Sequence, residues 1–224
     1  MILVTQNAIP THDIAGRIAQ QTLAKRGASY ATEVRRLLDA ALAVMGAAGT
    51  NSRARVADIV AAAGLSNDAF YRHFPSKDAL VTALLDDGAA RLASYLEHQM
   101  AKETEPAPKV RRWVEGVLSQ TDNNIAETTL AVLFNSGSIA DGRASGRHPA
   151  SATLAALLHD PLAALGSADP ELDASLMAHA VLGQVADHLW QRTQPTRAEI
   201  DHVTELFLTA TRSAATRRRP PRAR

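Results

Sequence analysis

The sequence predicts an all-helical protein, and three observations lead to this prediction. Nearly every segment longer than ten residues repeats its apolar side chains with the i, i+3, i+4 spacing of a helix, and no run alternates as strands do. With 46% apolar residues in 224, the chain can bury a core. The chain has no cysteine, which excludes disulfides and thiolate chemistry and fits a reducing compartment.

The first helices are predicted by apolar spacing and by their ends. Apolar residues follow the helical rule over residues 34–45, up to a pair of glycines. A second helix is expected after Asn51 or Ser52, both suitable N-caps, and it stops at Gly64. A separate amphipathic helix is expected upstream, over residues 13–27.

Capping serines mark the third and fourth helices. Ser66 is the expected N-cap of a short helix over residues 67–74, which Pro75 ends because proline cannot continue the hydrogen-bond ladder. Ser76 then caps a long helix over residues 77–102. Two short helices joined by a turn containing glycine are typical of a helix-turn-helix, which inserts its second helix into the major groove of DNA.

The rest of the chain is also expected to be helical. A linker is predicted at residues 104–108, a polar loop at 137–149 and an unfolded basic tail at 215–224. The predicted helices lie at 109–121, 124–137, 149–166, 170–192 and 195–214, and Asp160-Pro161 disturbs the third of these.

The net charge is only +1, but the charges are segregated along the chain. Residues 1–80 hold nine Lys or Arg against six Asp or Glu, residues 81–216 hold ten against seventeen, and residues 217–224 hold five against none. This asymmetry indicates that the ends of the chain meet an anion. The alternative, scatter over a solvated surface, would by itself explain the excess of +3 in residues 1–80.

Several function classes are disfavoured by what the sequence lacks. It contains no GxSxG, GxxxxGK[ST] or HExxH motif, and the nearest informative histidine pair, His179 and His188, is nine residues apart. No enzyme activity, cofactor or metal is therefore expected. The longest apolar runs are too short to span a bilayer and no export signal is evident, so no membrane partner and a cytoplasmic location are expected.

Residues 31–85 resemble the DNA-binding domain of the TetR family of bacterial transcriptional regulators. The segments VADIVAAAGLS, AFYRHF and PSKDAL carry this resemblance. It implies a three-helix DNA-binding domain followed by a helical domain that binds a small ligand and dimerises through its last two long helices. The expected divisions are 1–28 for an N-terminal extension, 29–80 for the helix-turn-helix domain, 81–214 for the ligand-binding and dimerisation domain, and 215–224 for the tail.

The resemblance also implies a set of DNA contacts. Tyr71 and Lys77 match positions that hold phosphates, whereas Asn67, Asp68, Ala69 and Arg72 match positions that often face bases. The full predicted set is Arg53, Arg55, Ser66, Asn67, Asp68, Ala69, Tyr71, Arg72, His73 and Lys77. A solvated surface is the alternative for Arg72 and His73. Asp68 stands where a small residue is common, and it either stabilises the first turn of its helix or accepts a hydrogen bond from a cytosine amino group.

Two more sets of residues follow from the second domain that the resemblance implies. Trp113, Phe134, Asn135 and His159 are candidate contacts to a small apolar effector, and packing in the core is the alternative for the aromatic residues. Apolar stripes on the last two helices predict a homodimer interface, with packing inside one chain as the alternative. The predicted interface residues are Ala178, Val181, Leu182, Val185, Leu189, Val203, Phe207 and Ala210.

The expected function is therefore a homodimeric transcriptional repressor that binds a palindromic operator in double-stranded DNA and is released by a small molecule. Two alternatives remain at this point: a helical DNA-binding protein without an effector, and an all-helical enzyme. Lys25 and Arg26 near the N-terminus, and the arginines of the tail, either reach DNA or are solvated ends.

Overall fold

A computed structural model describes residues 14–136 and 149–217, and every regular element in these two ranges is helical. The ten α-helices of the described residues are α1 Ile14–Ala48, α2 Val56–Ala63, α3 Asn67–His73, α4 Lys77–Met100, α5 Pro106–Leu118, α6 Asn123–Asn135, α7 Pro149–Ala156, α8 His159–Ala164, α9 Pro170–Gln191 and α10 Arg197–Arg217. A short 3-10 turn, Ser119–Thr121, follows α5. The all-α prediction is confirmed.

Helix α1 is one continuous helix of 35 residues, so the prediction of two helices separated after Gly27 was wrong. A glycine inside a helix costs only about 1 kcal/mol relative to alanine, which does not end a helix that is anchored elsewhere. The anchor is the C-terminal third of α1, where Leu37, Ala41 and Met45 are fully buried.

The expected caps are confirmed for α3 and α4 but not for α2. The Ser66 hydroxyl accepts a hydrogen bond from the backbone N–H of Ala69 at 3.1 Å, and Ser76 does the same for Ala79 at 3.1 Å. Helix α2 instead begins after Arg55, whose side chain makes no capping hydrogen bond. Arg55 pairs with Asp58 in the first turn of α2 at 2.9 Å, so this helix start is held by an ion pair rather than by Asn51 or Ser52.

The turn between α2 and α3 depends on a glycine and on an arginine from α1. Gly64 lies in the left-handed region at φ 61°, which side chains disfavour. The Arg36 guanidinium donates to the carbonyl oxygens of Ala63 and Gly64, the latter at 3.2 Å, and thereby satisfies the end of α2. A Cβ atom at position 64 would also lie 2.8 Å from that guanidinium and displace it, so a larger residue would disturb both the turn and its cap.

In the second half of the chain, prolines shift the predicted boundaries. Helix α5 starts at Pro106, inside the expected linker, because proline suits the first turn of a helix. The helix expected at 149–166 is two helices, α7 and α8, since Pro161 has no N–H to bond to the carbonyl of residue 157. The expected polar loop, as far as residue 148, and residues 218–224 of the tail lie outside the described residues, whereas 215–217 belong to α10.

Two apolar clusters divide the described part of the chain. The first, here called the head, comprises α1, α2, α3 and the start of α4, with Phe70 and Ile59 at its centre. The second, the body, contains the rest of α4 and the helices that follow. Helix α4 belongs to both, and Val132 of α6 packs into the head cluster. The head is therefore joined to the body by packed helices, and the domain boundary at 80/81 stays a prediction.

Candidate nucleic-acid interface and pocket

The outward face of α3 is polar, as a helix that enters a DNA groove requires. Tyr71 is 58% exposed, and Asn67, Asp68 and Arg72 are exposed beside it. Ser66, also exposed, begins this face. The opposite side of α3 carries Phe70, which is fully buried. The structure thus brings together most of the residues that the sequence predicts at the bases.

Two residues of the predicted set face inward instead. Ala69 is only 5% exposed, and the side chain of His73 is fully buried. The His73 ring packs edge-on against Tyr30 of α1, with centroids 4.1 Å apart, and its Nε2 lies 2.8 Å from the Glu33 carboxylate. Neither side chain reaches the outer surface, and His73 joins α3 to α1.

Glu33 holds two side chains of α3 at once. Besides its hydrogen bond with His73, its carboxylate accepts one from the Arg72 guanidinium at 2.8 Å. The hydrogen bonds with His73 and then Arg72 hold the pKa of Glu33 below its usual range. The Glu33 carboxylate therefore orients Arg72 on the outer face of α3 while it fixes α3 against α1.

The two arginines ahead of α2 are exposed but held in different ways. Arg55 forms its ion pair with Asp58, and the hydrogen bond from Arg55 holds the pKa of Asp58 below its usual range. The guanidinium carbon of Arg53 lies 5.8 Å from the centroid of the Phe134 ring, a distance typical of a cation–π contact. Phe134 belongs to α6 of the body, so Arg53 lies where the head meets the body.

Asn135, the last residue of α6, makes the most specific contact between body and head. Its Oδ1 accepts hydrogen bonds from the backbone N–H of Ala54, at 2.8 Å, and from Lys77 Nζ, at 3.4 Å. Its Nδ2 donates to the carbonyl of Ala131 at 2.8 Å, and the residue is fully buried. Asn135, Ala54 and Lys77 are called the junction below.

Lys77 is only half-buried at the junction. Its ammonium group donates to the Ala54 carbonyl at 3.2 Å as well as to Asn135, and burial, followed by the nearby charge of Arg53, lowers its pKa. An ammonium group has three N–H donors, and these two contacts use two of them. The residue predicted to hold a phosphate thus also ties the start of α4 to α6.

A cavity of about 560 Å³ lies directly beneath the head, a size typical of small-molecule sites. It is lined by Leu42, Leu84, Leu85, Gly88, Ala89, Arg91, Leu92, Tyr95, Gln120, Ile125, Thr128, Thr129, Val132, Leu154, Leu182 and Val185. Four of these residues, Leu42, Leu84, Leu85 and Val132, also pack in the head cluster, and they are called the shared wall. The cavity is therefore bounded in part by the core of the head.

The four predicted effector contacts do not meet in this cavity. Trp113 is buried in the core, and its indole N–H donates to the carbonyl of Leu154 at 2.9 Å. Phe134 and Asn135 lie where head and body meet, and His159 lines a separate pocket of about 180 Å³. The lining instead comes from α1, α4, the 3-10 turn, α6, α7 and α9, which are far apart in the sequence. In the sequence, the one local signal for the cavity is the helical spacing of Gly88, Leu92 and Tyr95, which puts them on one face of α4.

The predicted interface residues mostly pack inside one chain. Ala178, Val181, Val185 and Leu189 are buried in the body cluster, and Leu182 lines the cavity. On α10, Val203 and Phe207 are half-buried and Ala210 is exposed. The alternative of packing within the chain therefore accounts for most of the stripe that the sequence shows.

A different apolar face of the last two helices is left open. Leu172, Leu176 and Trp190 on α9 are each more than half exposed, as is Leu206 on α10. These four residues are called the exposed stripe. The sequence signal for this face is weak because polar residues such as His179 and Asp187 interrupt it.

Residues 14–136 and 149–217 contain neither of two other kinds of site. No helix there is sufficiently long and apolar to cross a bilayer. In the same ranges, no group of three or more His, Cys, Asp or Glu side chains is arranged to hold a metal ion.

Solved structures share this fold, and several of them are described as regulators. RolR in complex with the ligand resorcinol is 16% identical over 88% of this chain and 100% of its own, with a TM-score of 0.61. The fatty acid degradation regulator FadR from Bacillus halodurans is 19% identical over 79% and 94%, with a TM-score of 0.53. A transcriptional regulator from Rhodococcus sp. Rha1 is 19% identical over 81% and 97%, with a TM-score of 0.54.

At these identities the likeness concerns the fold alone. A search of curated proteins gives no significant match. The family model described as "Bacterial regulatory proteins, tetR family" matches residues 37–84, which run from the buried part of α1 through the helix-turn-helix to the start of α4. Residues 37–84 of the chain are thus similar to the DNA-binding domain of the TetR family of bacterial transcriptional regulators.

Proposed function

We propose that this regulator is a homodimeric repressor that a small molecule releases from its operator. One observation carries the proposal: the shared wall makes the cavity and the head neighbours with no layer between them. Any molecule that fills the cavity therefore touches residues that also pack the DNA-binding domain. A cavity walled only by the body would support the rival, a DNA-binding protein without an effector, equally well.

The proposed route from cavity to DNA uses α4 and α6. Both helices line the cavity, and both end at the junction: α4 begins with Lys77, and α6 finishes with Asn135. A ligand that separates α6 from α4 strains the hydrogen bond from Ala54 to Asn135, and the head then tilts. In a dimer, this tilt changes the distance between the two α3 helices, which must fit half-sites about one helical turn of DNA apart.

The proposed DNA surface is the outer face of α3 together with the residues at its edges. Asn67, Asp68 and Arg72 are placed to meet base edges. Tyr71, Ser66, Arg53, Arg55 and Lys77 are proposed to contact or attract phosphates. Because phosphate contacts dominate affinity, binding should weaken steeply as salt concentration rises.

The proposed dimer uses the exposed stripe rather than the stripe predicted from sequence. TetR-family regulators act as dimers, and large exposed apolar side chains along one face of a helix are typical of such interfaces. Leu176→Glu should convert the dimer to a monomer, measured by sedimentation. Leu23→Glu is the matched control because Leu23 is also more than half exposed but lies on α1. A dimer that survives Leu176→Glu would place the interface elsewhere.

The experiment that tests the function begins with DNA. The protein should shift fragments taken upstream of its own and neighbouring genes, and small molecules should then be screened for release of the shifted fragment. Release by a molecule that Gly88→Leu renders inactive would support the proposal, because a side chain at position 88 has open space at the cavity wall. Tight DNA binding that no cavity-binding molecule changes would favour the effector-free rival.

An enzymatic role is the least supported alternative. The family and the solved structures that share the fold are regulators rather than enzymes.

A further inference from the structure

We infer that the cavity takes an amphipathic anion: an aliphatic body with a single carboxylate, held at the mouth by Arg91. The inference rests on the proposed function, because it names the chemistry of the effector that the repressor would sense.

The inner surface of the cavity selects an aliphatic body. The residues that line it and are themselves most buried are Leu84, Ala89, Val132, Leu154 and Val185, all of them aliphatic. Tyr95 is the one aromatic residue among the described lining residues, and none of the five buried ones offers a ring face for stacking. A flexible or branched hydrocarbon body suits such a surface.

The exposed rim of the cavity, called the mouth, carries a positive charge. Arg91 and Tyr95 are four residues apart on α4 and therefore lie on one face of that helix, and both are about half exposed. Arg91 is the one charged side chain among the described lining residues. Gln120, Thr128 and Thr129 supply neutral polar groups.

The cation at the mouth is only partly compensated. Arg91 pairs with Asp87 at 3.0 Å, but the same carboxylate also pairs with Arg35 of α1 at 3.3 Å. The single carboxylate of Asp87 is thus shared by two guanidinium groups, which leaves an excess of positive charge. Asp86 does not line the cavity, and by helical geometry it lies on the opposite side of α4 from Gly88 and Tyr95.

This arrangement discriminates between ligand charges. A guanidinium group binds a carboxylate through two parallel hydrogen bonds that are roughly twice as strong as neutral ones. A cationic ligand would instead be repelled by both arginines. A carboxylate at Arg91 would also compete with Asp87, which is the residue that links α4 to Arg35 in the head.

The chain provides its own reporter of binding. It contains two tryptophans, Trp113 and Trp190. Trp113 is buried and bonded to the carbonyl of Leu154, whose side chain lines the cavity, whereas Trp190 is exposed. In a Trp190→Phe background, the emission of Trp113 should therefore respond to molecules that enter the cavity. Decanoate and 1-decanol are suitable probes because they share a chain and differ in charge.

We expect decanoate to bind saturably and 1-decanol to bind about tenfold more weakly, in line with the difference between charged and neutral hydrogen bonds. Arg91→Gln should remove this preference by weakening decanoate alone. Arg112→Gln is the control, since Arg112 is likewise an ion-paired arginine of the body but lies outside the cavity. Gly88→Leu should abolish both signals, and Gly27→Leu, on α1, should leave them unchanged.

Three results separate the inference from the proposed function. Equal binding of acid and alcohol, unaffected by Arg91→Gln, would overturn the anionic class and leave a ligand-responsive repressor intact. No response of Trp113 to saturated acids of six to sixteen carbons would overturn the inference too. Decanoate binding that depends on Arg91 but leaves DNA affinity unchanged would uphold the chemistry of the cavity and count against its role as a switch.

Discussion

The head and the body of this protein are built from the same kind of helix, yet they differ in how locally their function is encoded. In the head, the residues proposed to meet DNA fall within a segment of 25, from Arg53 to Lys77. In the body, the cavity draws its lining from residues between Leu42 and Val185. A DNA-reading surface is a property of one helix and its caps, whereas a cavity exists only after many helices have packed.

The largest expected effect comes from removing the side chain at the centre of the head, which tests whether head and body are separable. Phe70→Ala deletes a fully buried ring and should lower the free energy of unfolding of the head by about 3–5 kcal/mol, measured by chemical denaturation. The body has its own apolar cluster, so most of the helical signal should persist when DNA binding is lost. A single transition in which the whole chain unfolds together would show that head and body are not separable. Phe70→Leu is the milder control.

The second prediction concerns the junction. Asn135→Ala leaves the buried N–H of Ala54 without its acceptor, which should cost about 1–3 kcal/mol of unfolding free energy. The loss should not add to that of Lys77→Ala, because both variants break contacts to the same amide oxygen. Asn51→Ala, at an exposed asparagine in the adjacent loop, should change nothing. Full additivity of the two junction variants would contradict the shared contact.

The third prediction concerns the acidic residue on the reading face. Asp68 is exposed in the first turn of α3, and the Ser66 hydroxyl, not Asp68, accepts the capping hydrogen bond from the Ala69 N–H. Asp68→Asn should therefore change stability by less than about 1 kcal/mol, the scale of a helix-dipole effect. It should reduce discrimination at one base pair by about 1–3 kcal/mol, measured by competition among operator variants. Tighter binding without loss of discrimination would assign Asp68 the stabilising role only.

The smallest expected effect is a pH dependence. Since the pKa of Glu33 is lowered in the folded chain, its bonds to His73 and Arg72 contribute fully above the ordinary pKa of glutamate. The contribution is lost as pH falls through the lowered value. Thermal unfolding of wild type and Glu33→Gln should therefore differ near neutral pH and converge in acid. A difference that grows in acid would have the wrong sign and would exclude this ion pair as the cause.

The sequence predicts most of the head because its signals are short-ranged. The caps at Ser66 and Ser76, the stop at Gly64 and the polar face of α3 all follow from residues within one or two turns of each other. The exception is His73, which looks like an outer residue of α3 until α1 supplies Glu33 some forty positions upstream. The buried position of the His73 side chain is set by its contact with Glu33 of α1.

The body is less predictable for the same physical reason. Apolar periodicity marks a buried face on α9, but it does not say whether the partner is the same chain or another copy. Val181 and Val185 are buried by the chain itself, and the exposed residues Leu176 and Trp190 carry a weaker pattern. Likewise, Asn135 looks like a ligand contact in sequence, and only packing reveals that its partner is a backbone amide of the head.

The central claim is that filling the cavity changes the position of the head by straining the hydrogen bonds of the junction. Gly88→Leu tests it without any ligand, because the added side chain occupies the cavity from its wall. Hydrogen exchange of the Ala54 amide, compared among wild type, Gly88→Leu and Gly27→Leu, is the decisive measurement. The account predicts faster exchange at Ala54 and weaker DNA binding in Gly88→Leu alone. Unchanged exchange at Ala54 with a filled cavity would contradict it.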